Sequence, residues 1–98
     1  RKNSSGRNAL MTASERQNRE MVDLLVRSKA KVNETDNWGN TALMLAAKAG
    51  NGPIVRALMA VGADISKRNV AGKTATALAA AGGHTAIAEI LTIAGGTH

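Results

Sequence analysis

Apolar residues in this chain fall in short clusters at helical spacing, and the clusters recur. In the middle third, Leu43, Ala46 and Ala47 lie three to four apart, and Ile54, Val55, Leu58 and Met59 form a second such stripe. This spacing predicts two short helices, each with one apolar face. Thr41 stands just before the first cluster, where its hydroxyl accepts from the free N–H groups of a helix start. Gly50 stands after it and takes the left-handed conformation that closes a helix. Asn51-Gly52-Pro53 predicts a turn and restart, because proline is tolerated in the first helical turn. Gly62 closes the second helix, and a turn-rich, extended connection leads on from Ala63.

The pattern repeats at an interval of 33 residues: Gly6, Gly39 and Gly72; Ala9, Ala42 and Ala75; Ala13, Ala46 and Ala79; Met21, Ile54 and Ile87; Leu25, Leu58 and Leu91. A fixed period of this size signals stacked repeats. In register the units run 3–35, 36–68 and 69–98, and together they read as a single domain over 1–98. Each unit is helix, turn, helix and a hairpin-like loop. A stack of this kind offers a surface where an enzyme needs a pocket.

The middle unit carries D-x-x-G-x-T-A-L-x-x-A-A-x-x-G-N-x-x-I-V-x-x-L-x-x-x-G-A-D-I, with Asp36, Gly39, Thr41, Leu43, Ala46, Ala47, Gly50, Ile54, Val55, Leu58, Gly62, Ala63 and Asp64 all in place. This pattern resembles an ankyrin repeat, and the resemblance covers essentially the whole chain. It implies an all-α fold, an ankyrin-repeat solenoid of stacked helix-turn-helix units joined by hairpin-like loops.

The departures from the pattern are specific. Where the family has Thr-Pro-Leu-His, the units read Asn8-Ala9-Leu10-Met11, Thr41-Ala42-Leu43-Met44 and Thr74-Ala75-Thr76-Ala77. The resemblance gives that histidine a loop-tying role, which Met44 and Ala77 cannot fill. Gln17 and Lys29 stand where glycine is expected, which places non-glycine residues in an uncommon left-handed conformation and predicts less regular helix ends in the first unit. The end units of a stack need polar outer faces. The first unit supplies Glu15, Arg16, Arg19, Glu20, Asp23 and Arg27, whereas the third has Ile87, Ile90, Leu91, Ile93 and a bare run from Ala77 to Ala81. Further repeats or another domain are therefore expected beyond His98. The start at Arg1, without Met, likewise leads us to expect a piece of a longer protein.

Composition narrows the rest. The chain has no Phe or Tyr, one Trp and no Cys, so the core is built from Ala, Leu, Ile, Val and Met, and disulfides and thiolate metal sites are excluded. No apolar run reaches the ~20 residues of a membrane span. The net charge of +6, from 13 Lys and Arg against 7 Asp and Glu, favours acidic partners without choosing among them. Glu15–Arg19, Arg16–Glu20 and Asp23–Arg27 are spaced four apart and are expected to pair along helices. Arg7, Lys48, Arg68 and Lys73 have no acidic neighbour in the sequence.

The family resemblance places binding on a concave face lined by loop tips and first helices. In this register that face holds Ser4, Ser5, Arg7, Asn37, Trp38, Asn40, Val70, Ala71 and Lys73, flanked by Glu15, Arg16, Lys48 and Arg68. Trp38 stands out, since the equivalent positions hold Ser5 and Ala71 and the fold itself does not require a large side chain there. Tryptophan is enriched at binding hot spots; the alternative is an indole lying over a neighbouring loop. The expected partner-binding set is Trp38, Asn37, Asn40, Arg7, Lys48, Arg68 and Lys73, facing an acidic segment of another protein.

Other motifs fail on inspection. Gly72-Lys73-Thr74 ends like a phosphate-binding loop, but Lys67 stands where the first glycine is required and no strand precedes it. Asn3-Ser4-Ser5 and Asn33-Glu34-Thr35 fit a glycosylation sequon that has meaning only in a secreted protein. Asn33 also falls where the family commonly carries asparagine. His84 occupies a turn position equivalent to Asn51, and His98 is terminal. With no paired carboxylates, nucleophile–base pair or ligand cluster, the sequence gives no catalytic residue, metal, cofactor or small-molecule substrate to argue from. The leading reading is a non-catalytic protein–protein interaction module, cytoplasmic or nuclear. The rivals are an electrostatic binder of nucleic acid or anionic lipid, and a structural segment that positions an attached catalytic domain.

Overall fold

The computed structural model describes residues 6–95. The unit start at Asn3, the tip residues Ser4 and Ser5, and Arg1, Lys2 and His98 lie outside them. The described residues form three helix pairs: α1 (Ala9–Glu15) with α2 (Arg19–Arg27), α3 (Ala42–Ala49) with α4 (Gly52–Ala60), and α5 (Ala75–Ala81) with α6 (Thr85–Gly95). They are all-helical, with no strand.

Each inner helix starts on a side-chain cap. Asn8 Oδ1 accepts from the Met11 N–H at 2.9 Å, and the Thr41 and Thr74 hydroxyls accept from Met44 and Ala77 at 3.2 Å. Such a cap typically contributes about 1 kcal/mol. Met44 also answers its own departure from the family pattern, since its sulfur lies 3.4 Å from the Thr41 N–H that it accepts from. Its side chain is fully buried.

The inner helices α1, α3 and α5 pack side by side, and α2 packs on α4. Ala13, Ala46, Ala47 and Ala79 are buried at these contacts, where small side chains let short helices approach closely. Leu10, Met11, Leu43, Met44, Ile54, Leu58 and Leu91 fill the remaining core, each buried side chain contributing roughly 1.5–3 kcal/mol. The middle pair holds most of it, and six residues of α3 are buried.

The first unit closes its helices as regularly as the second, contrary to the sequence-based expectation. Gln17 and Lys29 do adopt left-handed backbone, at φ 60° and 63°. Yet Asn18 N–H reaches Ala13 O at 2.9 Å, just as Asn51 N–H reaches Ala46 O at 3.1 Å after Gly50. The left-handed conformation costs roughly 1–2 kcal/mol, less than losing the closing bonds and the stacking they direct.

Both end faces carry apolar side chains. Met21 and Leu24 are exposed on α2, while Ile93, Ala77, Ala80 and Ala81 are exposed on the third pair. Ile87 and Leu91 turn inward and are buried. No described helix is long and apolar enough to cross a membrane.

Candidate functional site

The loops between helix pairs end in tight turns at one edge of the stack, and the second and third turns are superimposable in their bonding. In the second, Asp36 N–H donates to Asn40 O and Gly39 N–H to Asp36 O; in the third, Asn69 N–H donates to Lys73 O and Gly72 N–H to Asn69 O. The glycines at the turns need left-handed backbone, at φ 77° and 78°. One side chain locks each turn. Asp36 Oδ1 accepts from the N–H of Trp38 at 2.9 Å and of Asn40 at 2.8 Å. Asn69 Oδ1 accepts from Ala71 and Lys73, both at 3.0 Å.

The tips also bond to one another. Val70 N–H donates to Trp38 O at 2.9 Å, and Asn69 Nδ2 donates to Asn40 Oδ1 at 2.9 Å. On the preceding tip, Arg7 Nε donates to Asp36 Oδ2 at 3.2 Å, and Arg7 Nη1 contacts Glu15. Asn33 spans the loops further back, donating to Gly62 O and accepting from Asp64 N–H at 2.6 Å. Asn33 is thus a structural tie between units.

Electrostatics at the second tip centre on Asp36, whose side chain is fully buried. Burial alone would raise its pKa, but donation from the Asn40 and Trp38 N–H groups and from Arg7 outweighs burial and holds it below the ordinary value. For Arg7, burial alone would lower the pKa; its bonds to Glu15 and Asp36 outweigh that and keep it raised. Arg7 therefore has two acidic partners, although the sequence shows none beside it. Asp36 comes to it from the next tip and Glu15 from the end of α1.

The helical ion pairs are also corrected. Glu15 turns to Arg7, and Arg19 pairs with Asp23 at 3.6 Å. Glu15 and Arg19 lie on different helices, because the left-handed Gln17 breaks the chain between them.

The remaining candidate residues divide into three places. Arg7, Asn40 and Lys48 share a hollow of about 250 Å³ with Glu15, Leu45 and Ala49, between the tips and the ends of α1 and α3. Trp38 sits on the second tip with 49% of its surface exposed, and Val70 beside it is 74% exposed. Asn37 is exposed and packs against Gly6, where a Cβ would strike the Asn37 side chain. Arg68 and Lys73 belong to the third tip; Arg68 Nη1 donates to Gly72 O at 2.9 Å, and Lys73 is exposed.

Two structural contributions were not legible as such in the sequence. The His84 ring lies over Gly50 and its Nε2 is 3.2 Å from Lys48 O. A carbonyl only accepts, so that nitrogen carries the proton. His84 thereby covers an unpaired carbonyl at the end of α3, and it explains why Gly50 has no room for a side chain. Ser14 is fully buried and donates to Leu10 O at 2.8 Å.

A family model described as ankyrin repeats (3 copies) matches residues 1–69. No curated protein matches the chain.

Proposed function

Since the chain belongs to the ankyrin-repeat family, we propose that it is a non-catalytic protein-recognition module that engages its partner at the loop tips around Trp38. Ankyrin repeats are generally protein–protein interaction modules. The observation that carries the assignment to the tips is the half-exposed indole of Trp38, set on a turn that is fixed without it. Its backbone N–H is held by Asp36 and its carbonyl by Val70, so the side chain is presented by a rigid mount. A large aromatic surface held in this way loses little conformational freedom on binding. Asn37 and Val70 extend the exposed surface, and Lys48, Arg68 and Lys73 bring positive charge to it. Arg7 and Asn40 act behind that surface, by tying one tip to the next.

The electrostatic reading, nucleic acid or anionic lipid, has weaker support. One aromatic gives no platform for stacking successive bases.

A photoreactive residue placed at position 38 and irradiated in native cell extract should trap the partner. Trp38→Ala should then weaken binding of that partner by at least about 2 kcal/mol. Unchanged affinity would remove Trp38 from the interface.

A further inference from the structure

The third tip repeats the second in backbone, but nothing within the described residues is bonded to its outer edge. On the second tip the Trp38 carbonyl accepts from the Val70 N–H, and the Asn40 side chain meets Asn69. The groups at the same places on the third tip are the Ala71 carbonyl and the Lys73 side chain, and neither has a hydrogen bond or ion pair among the described residues. A Cβ on Gly39 would meet the Val70 backbone at 3.1 Å, whereas one on Gly72 would meet open space.

Charge says what fits there. Lys67, Arg68 and Lys73 fall within 65–88, a stretch without a single Asp or Glu. The nearest preceding acid, Asp64, accepts from the N–H and hydroxyl of Ser66. The molecule also holds an internal example of the missing contact. Arg7 occupies on the first tip the position of Lys73 on the third, and it binds the carboxylate of Asp36 from the tip above.

We propose that the outer edge of the third tip binds an acidic, extended segment of a partner protein in the same way that the first tip holds Asp36. A carboxylate, aspartate by the length of the internal example, pairs with Lys73. The backbone N–H of the residue that follows it donates to the Ala71 carbonyl, as Val70 follows Asn69 and donates to Trp38. The residue after the acid therefore cannot be proline, which has no N–H. This inference rests on the protein-recognition reading and names what the module reads.

The test is selection of short random peptides against the whole 98-residue chain at low salt, with the selected peptides then synthesised and titrated by calorimetry. Binders should be enriched in Asp followed by a residue other than Pro. Replacing that Asp by Asn, or the next residue by Pro, should weaken binding about tenfold. Lys73→Glu in the chain should do the same, and Lys29→Glu, in the first unit, should not. Peptides that respond to Lys73→Glu but ignore Trp38→Ala support this inference and remove Trp38 from it. Peptides that respond to Trp38→Ala but neither favour acid nor sense Lys73→Glu overturn it and leave the module reading standing. No peptide sensitive to either variant overturns both. Binding confined to phosphatidylserine–phosphatidylcholine vesicles overturns it in favour of a membrane surface.

Discussion

The second and third tips build one backbone turn with different chemistry. Asp36 and Asn69 each accept two N–H groups at nearly equal distances, so the turn needs a short side-chain oxygen and not a charge. What the charge adds is directed backward. Asp36 is buried and takes Arg7 from the tip before it, while Asn69 is half-buried and donates its amide to Asn40. The carboxylate is sustainable in a buried place because a guanidinium and two N–H groups surround it. The amide does the same local work at a more exposed place without a counter-charge. The second tip also carries Trp38 where the third carries Ala71, so the better anchored turn bears the larger exposed side chain.

Removing the locking side chain should separate the two tips most. Asp36→Ala leaves Arg7 without one of its acids and two buried-side N–H groups unpaired, an expected loss of about 3 kcal/mol. Asn69→Ala exposes its N–H groups to water and should lose only about 1 kcal/mol. Chemical denaturation of both variants gives the difference, and equal losses would mean that burial of Asp36 carries no weight.

Next come the turn glycines, which share a left-handed φ and differ in their surroundings. Gly72→Ala should cost roughly 1 kcal/mol for backbone conformation alone. Gly39→Ala must also push against the backbone of Asn69 and Val70 at 3.1–3.4 Å and should cost about 2 kcal/mol. The excess, read as a difference in melting, measures how tightly the tips are stacked.

The acid response comes third. Because the folded pKa of Asp36 is lowered, its stabilisation is full above the unfolded value, near 4, and is lost as pH falls through the folded value below it. Asp36→Asn should remove that portion of the acid sensitivity while retaining the turn, and urea titrations at descending pH would show the flatter profile. Asn69 has no such titration. The smallest effect is expected for Val70→Ser, within about 0.5 kcal/mol of wild type, because its side chain is mostly in solvent.

Much of this architecture is legible in the sequence because it is written locally. Thr41, Gly50, Pro53 and Gly62 act within one helical turn of themselves, and a repeat states them more than once. Gln17 and Lys29 are legible as left-handed for the same reason. Their helix ends are regular because stacking against the second unit outweighs local strain, and no local rule weighs that. The contacts that shape the site join residues about one unit apart. Arg7 and Asp36 are 29 apart, and so are Asn40 and Asn69; His84 reaches Lys48 across 36. Spacing of four instead suggested Glu15–Arg19, a pair that the break at Gln17 forbids. The position of Trp38 on a tip followed from the repeat, but its rigid mounting depends on Asp36 and Val70, which only the folded stack brings together.

The bonds between tips also give the units an order. The first offers a cation to the second, and the second offers an amide oxygen to the third. If the second and third units were exchanged along the chain, Arg7 would face Asn69, whose oxygen already serves two N–H groups, and the Asp36 carboxylate would face Lys73. The same three segments in another sequence would thus pair other side chains at every tip, so that the succession of units is encoded in one polar residue on each side of a turn and not in the helices that make up the bulk of the protein.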